Sequence, residues 1–225
     1  MPVSHPAAAH LQVSDLGCKR GGRVLFRQLQ LDLPGGTVLT LRGRNGSGKS
    51  TLLRTLAGLL PWRAGQLRWC GRALSAHAPE YQQQLSYLGH HAAMSDALSG
   101  IENLRFALTL AGAPWQAQRV QEVLQALGLD RAAQLAFGQL SQGQRRRLGL
   151  ARILLADKAL WLLDEPDNAL DEHGLRWLGD ALDRHSAAGG IAIVATHRGL
   201  LAPSGPVLDL SEHLPPGRSG EEAPC

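Results

Sequence analysis

Three short apolar runs stand out from polar surroundings: TVLTLR at 37–42, ALWLLD at 159–164 and IAIVAT at 191–196. Runs of this length, bounded by glycines or charges, fit central parallel strands covered on both faces. Helical stretches occupy residues 50–60, 101–111, 115–128, 142–156 and 171–188. That alternation predicts an α/β protein with a mostly parallel sheet core. The front, from about 13 to 33, reads as hairpin-like, antiparallel N-terminal strands. Residues 85–150 read as almost purely helical, which predicts an α-helical sub-domain inserted into the sheet core. No linker separates independent domains, so one domain is expected over 1–210. The polar, Pro- and Gly-rich stretch 211–225 is expected to be a flexible tail.

Composition narrows this picture without deciding it. A chain of 225 residues, 44% of them hydrophobic, can bury a full core. No apolar run approaches the ~18 residues of a membrane span, and MPVSHPAAAH lacks the blocks of a secretory signal, so a cytoplasmic setting is expected. Cys18, Cys70 and Cys225 form no metal-ligand spacing. The net charge of +4 suits ATP, anionic lipid or nucleic acid and does not choose among them.

The choice comes from GRNGSGKST at 43–51, which matches G-x-x-x-x-G-K-[ST] at every fixed position. A strand-like run precedes it and a helical one follows, the context that makes the motif a phosphate cradle rather than a glycine-rich turn. Gly43, Arg44, Asn45, Gly46, Ser47, Gly48, Lys49, Ser50 and Thr51 are therefore candidate ATP-binding residues. Glycines let backbone N–H groups approach phosphate oxygens, and the helix start adds its positive dipole end. Lys49 supplies a point charge, and the Ser50 hydroxyl a ligand for Mg²⁺.

Asp164 and Glu165 close the second apolar strand, where open α/β sheets bind ligands. Asp164 is the candidate to hold Mg²⁺ through water, and Glu165 the candidate general base for the attacking water. The competing reading is an acidic turn that caps the next helix, with some support from Pro166 and Asp167. His197 ends the third apolar strand and is a candidate hydrogen-bond donor to a γ-phosphate or the lytic water. On its own, such a histidine is also compatible with a structural role.

With these pieces, the chain resembles the ATP-binding subunit of an ABC transporter over about residues 11–205. LSQGQRRR at 140–147 is similar to that family's signature loop, with Gln142 where glycine is commoner. The resemblance implies an ABC ATPase domain that hydrolyses ATP, with Ser141, Gln142, Gly143 and Gln144 meeting the γ-phosphate of ATP held by another copy. It thus implies a homodimer with two composite sites and an integral-membrane transporter subunit as partner. Arg145, Arg146 and Arg147 read either as support for that loop or as a solvated basic face. NALD at 168–171 matches the loop that crosses the dimer axis.

Two positions depart from the family pattern. His90 stands where a glutamine usually contacts Mg²⁺ and the membrane partner. Arg20 stands where an aromatic usually stacks on adenine, with Phe26 as a substitute. Together with LAGLLPWRAGQLRWCG and ENLRF, these stretches resemble one branch, the ATP-binding subunits of the haem exporter in bacterial c-type cytochrome maturation. That branch implies a peripheral position on the cytoplasmic face of the inner membrane and release of haem-loaded chaperone on the other side. His90 and His91 have no evident apolar haem pocket, so no direct haem binding is expected. A different exporter, of lipid, drug or peptide, is the alternative. No sustained heptads separate Lys49 from Ser141, which argues against a chromosome-type ATPase, and no nucleic-acid partner is expected. A kinase would have no use for the signature helix.

Overall fold

The computed structural model describes residues 9–21, 23–62, 64–75, 78–89, 93–196 and 205–213. Two sheets form its frame. In the antiparallel sheet, β1 (His10–Arg20) pairs with β2 (Arg23–Pro34) on one edge. On its other edge lies β4 (Ala64–Trp69), which pairs in turn with β5 (Arg72–Ala73). Cys70 and Gly71, both at positive φ, make the two-residue turn between β4 and β5.

The second sheet is parallel, in the order β6 (Leu85–Leu88), β7 (Leu160–Asp164), β8 (Ile191–Ala195), β3 (Val38–Arg42), β9 (Val207–Asp209). Its central strands are buried end to end because both faces are covered. Alternate residues feed opposite cores. Leu160, Leu162, Ile191 and Ile193 pack toward the antiparallel sheet and α1 (Lys49–Leu56). Trp161, Leu163, Ala192 and Val194 pack in the other core, with residues of α3 (Gly100–Ala111), α4 (Ala117–Ala126), α5 (Gln142–Ala156) and α6 (Glu172–Ala187). A short helix, α2 (Pro79–Gln82), precedes β6.

All five expected helices are present, three of them shorter than expected. α1 stops at Leu56, with Gly58 at φ 71° just beyond, and α3 ends on Gly112 in the left-handed region. One expectation is corrected. Residues 85–150 are not almost purely helical, because Leu85–Leu88 is the edge strand of the parallel sheet, in register with β7 from Leu85↔Leu160 to Leu88↔Leu163. Of the expected tail, residues 211–213 belong to a 3₁₀ turn (Leu210–His213) whose first residue is fully buried, and 214–225 lie outside the described residues.

Candidate functional site

β3 ends at Arg42 and α1 begins at Lys49, so six residues make the whole turn between them. Gly43, Gly46 and Gly48 take φ of 142°, 77° and 106°, conformations that side chains rarely tolerate. A Cβ on Gly48 would stand 3.3 Å from Leu25 Cβ and 3.4 Å from Phe26 Cδ1, and one on Gly43 only 2.6 Å from Ser47 Oγ. The loop is thus pressed against β2 by its bare backbone. Gly48 gives α1 no side-chain cap, and the first turn carries no acidic residue. The first N–H groups of such a helix have no intrahelical partner and suit an anion.

Ser47 Oγ is buried with no hydrogen-bond partner among the described residues. Lys49 is 6% exposed, and its Nζ donates to the carbonyls of Gly43 at 2.7 Å and Arg44 at 3.4 Å. Burial pulls the Lys49 ammonium below its ordinary pKa, while Glu165, Asp164 and Asp209 draw it back up. Arg44, Asn45 and Gly46 are exposed at the mouth, Ser50 is half-buried and Thr51 is buried. An enclosed ammonium, a lone buried hydroxyl and a glycine-lined helix end fit a polyphosphate.

Across from this loop, α1 packs on β7 and β8. Asp164 is fully buried at the end of β7. Glu165 follows at φ 51°, ψ 52°, a left-handed conformation that costs a side-chain-bearing residue about 1–3 kcal/mol. Several contacts hold it there. Its N–H donates to Ala195 O at 2.8 Å. The Arg146 guanidinium donates to Glu165 O from Nη2 at 2.7 Å and Nε at 3.2 Å, and also to Asp164 O. Asn168 Nδ2 donates to Glu165 Oε2 at 2.6 Å. The competing role as a helix cap belongs to Asp171, whose Oδ1 accepts from Gly174 N at 2.8 Å at the start of α6.

The signature stretch begins α5. Ser141 Oγ accepts from Gln144 N at 3.2 Å, while Gln144 Oε1 accepts from Ser141 N at 2.9 Å, a complete capping box. Ser141 and Gln142 are exposed, and Gly143 and Gln144 half-buried. Among the described residues, a Cβ on Gly143 would meet only Ser141 Oγ, at 4.0 Å, so none of them demands glycine there. The three arginines are not a solvated face. Arg145 binds the carbonyls of Gly138 and Leu140 and lies over the Phe137 ring, and Arg147 binds Leu127 O. Arg146 alone of the three reaches the β7 loop.

Sequence reasoning missed two partners. Asp167 is 1% exposed and accepts from Thr196 Oγ1 at 2.6 Å, joining the β7 loop to the end of β8. The Arg146 fork was equally silent, since residues 18 and 19 apart in sequence carry no spacing signal. One substitute is corrected: Phe26 is fully buried under Gly48, so it offers no face for a base to stack on. His90 and His197 lie outside the described residues, as does the side chain of Arg20. Among the described residues, no group of three or more His, Cys, Asp or Glu could hold a metal. Any Mg²⁺ would therefore need phosphate oxygens and water besides Ser50 and Asp164, as that hard cation usually takes.

The model of the family described as ABC transporter matches residues 26–168. The cytochrome c biogenesis ATP-binding export protein CcmA of Bordetella bronchiseptica is 48% identical over 199 residues, 88% of each chain. The protein of that name from Pseudomonas aeruginosa is 43% identical over 190 residues, 84% of this chain and 94% of that one. Among solved structures, an ATP-binding subunit of an ABC transporter superposes with a TM-score of 0.73 at 23% identity, covering 84% of this chain and 80% of its own. A dimeric ATP-binding cassette in a post-hydrolysis state, bound to ADP and Pi, gives 0.74 at 22% identity, covering 88% and 93%. At those identities the two structures speak for the fold alone. Phosphate loop, acidic strand end, signature helix and these likenesses converge: the chain belongs to the ABC transporter family, on the branch of the CcmA proteins.

Proposed function

We propose that this chain is the ATP-binding and ATP-hydrolysing subunit of an ABC exporter serving c-type cytochrome biogenesis, coupling hydrolysis to release of haem-loaded chaperone. The observation that carries this reading is the 48% identity over 199 residues to a cytochrome c biogenesis export protein, with the phosphate loop inside the matched family region.

The phosphates lie on the backbone of residues 43–51, with Lys49 leaving the Gly43 carbonyl to meet them. Ser50 and, through water, Asp164 would hold a Mg²⁺ ion, which would supply charge neutralisation. Glu165 is the general base, aimed by Asn168 and by its locked backbone. His197 and His90 complete the γ-phosphate surroundings, and Arg20 lies against adenine.

The site is finished by a second copy of the chain. Ser141, Gln142, Gly143 and Gln144 of one protomer meet the γ-phosphate on the other. Gly143 supports this pairing, because an approach from outside explains a glycine that the described residues of its own chain do not require.

No helix among the described residues is long and apolar enough to cross a membrane. An integral-membrane subunit supplies the span, and this chain sits peripherally on the cytoplasmic face of the inner membrane. That subunit docks in a groove of about 680 Å³ between β6 and α3. Phe106 and Leu110, 60% and 73% exposed, line it and suit an apolar segment. Tyr87 in its wall accepts from Arg54 Nε of α1 at 3.3 Å, which joins the groove to the nucleotide helix. Haem itself stays off this chain, and no nucleic acid takes part.

Deletion of the gene tests the reading. Covalent c-type cytochromes should disappear while b-type cytochromes stay normal. Intact c-type cytochromes would contradict it.

A further inference from the structure

The three consecutive arginines of α5 point to different places, and only one reaches the reaction centre. Arg146 donates from Nε and Nη2 to Glu165 O and from Nη2 to Asp164 O, so one planar guanidinium grips the carbonyls of both acidic residues. Arg145 and Arg147 hold carbonyls of the segments just before α5 and just after α4. α5 also packs on the 3₁₀ turn Pro166–Ala169, which carries Asn168 and Asp167. The exposed cap of α5 at Ser141 lies five residues, or about 7.5 Å of helix axis, before Arg146.

We propose that Arg146 is a positioning residue that couples the two ATP sites of the dimer, by linking the helix end that meets the partner's nucleotide to the backbone that carries its own protomer's Glu165. The inference rests on the paired-protomer reading above. The stretch of this capped helix from Ser141 to Arg146 is under two turns and stiff, so a shift of the N-terminus moves Arg146 with it. The loop it grips is poised to respond. Glu165 is held at φ 51° by outside contacts, and removing one lets the backbone relax toward commoner conformations. The carboxylate travels with that backbone through Asn168, and the end of β8 is tied in through Thr196 and Asp167. Lysine keeps the charge at position 146 but cannot fork across two carbonyls.

The test is ATP-dependent hydrolysis by the full chain. Wild type should be cooperative in ATP. Arg146→Lys and Arg146→Gln should lower kcat about 10-fold and bring the Hill coefficient to about 1, while ATP still binds. A non-cooperative wild type, or variants with an unchanged Hill coefficient, would overturn the proposal.

A mixed dimer separates positioning from a general loss of fold. Pairing a Lys49→Ala protomer with a Ser141→Arg protomer leaves one intact composite site, whose Glu165 belongs to the Ser141→Arg chain. Arg146→Lys should slow that site when placed in the Ser141→Arg chain and leave it unaffected when placed in the Lys49→Ala chain. Equal loss from both placements means a merely structural clamp and overturns the proposal. If the parent mixture shows no activity, the paired-site reading itself fails, and the coupling fails with it.

Discussion

Asn168 Nδ2 donates to Glu165 Oε2 at 2.6 Å, so the acid at the end of β7 is aimed by a residue three places further on. The bond spans a tight 3₁₀ turn and fixes one oxygen of the carboxylate. Asn168→Ala should therefore lower kcat about 10-fold through misplacement of the proposed base, Glu165. KM for ATP should stay near the wild-type value, because the proposed phosphate contacts lie in residues 43–51. Steady-state ATPase measurements separate the two parameters, and a change confined to KM would count against this role.

Phe26 is a core residue under the phosphate loop. Phe26→Ala should cost about 3–5 kcal/mol in a denaturant melt. Phe26→Leu should cost less than about 1.5 kcal/mol and leave nucleotide affinity intact. Weakened ATP binding by a stable Phe26→Leu protein would instead place the ring against the base.

The observed cap at Ser141 and its proposed contact with the partner's γ-phosphate are separable. As the cap of α5 it is worth about 1 kcal/mol, the expected loss in Ser141→Ala. Ser141→Asp should keep the cap and the stability but abolish hydrolysis, since a carboxylate then faces the partner's γ-phosphate. Active Ser141→Asp enzyme would remove that phosphate contact.

The start of α3 should confer a pH-dependent increment of stability. Glu102 accepts from both the hydroxyl and the N–H of Ser99, and these bonds lower its pKa below the ordinary 4.5. A depressed carboxylate stabilises the fold above the unfolded-state value and loses that contribution as pH falls through its folded value. The gap in thermal midpoint between wild type and Glu102→Ala should be widest near neutrality and should close on acidification below about pH 4.5. A constant gap would show that the charge plays no part.

Much of this was legible from residue order. The runs at 159–164 and 191–196 announced central strands, because burial on both faces removes polar alternation. The phosphate loop was legible because its glycines and lysine are fixed by local geometry. The β4–β5 hairpin, β6 and β9 escaped. β6 has four residues of which only two are buried, and β9 has three partly exposed residues made a strand by the edge of β3. What sequence could not yield were contacts between distant residues: Thr196 to Asp167, 29 apart, and Arg146 to the β7 loop. Neither leaves a periodic trace. Ser141 shows a further limit, since its motif reads equally well as helix cap and as phosphate contact.

The account stands on ATP being held between two copies of the chain. The most direct measurement is the mass in solution of Glu165→Gln protein with Mg²⁺ and ATP, which should bind nucleotide without consuming it. The expected result is a doubling of mass on adding ATP, lost when Ser141→Arg is introduced into the same background. An ATP-loaded Glu165→Gln chain that stays single, or a pair indifferent to Ser141→Arg, would contradict it.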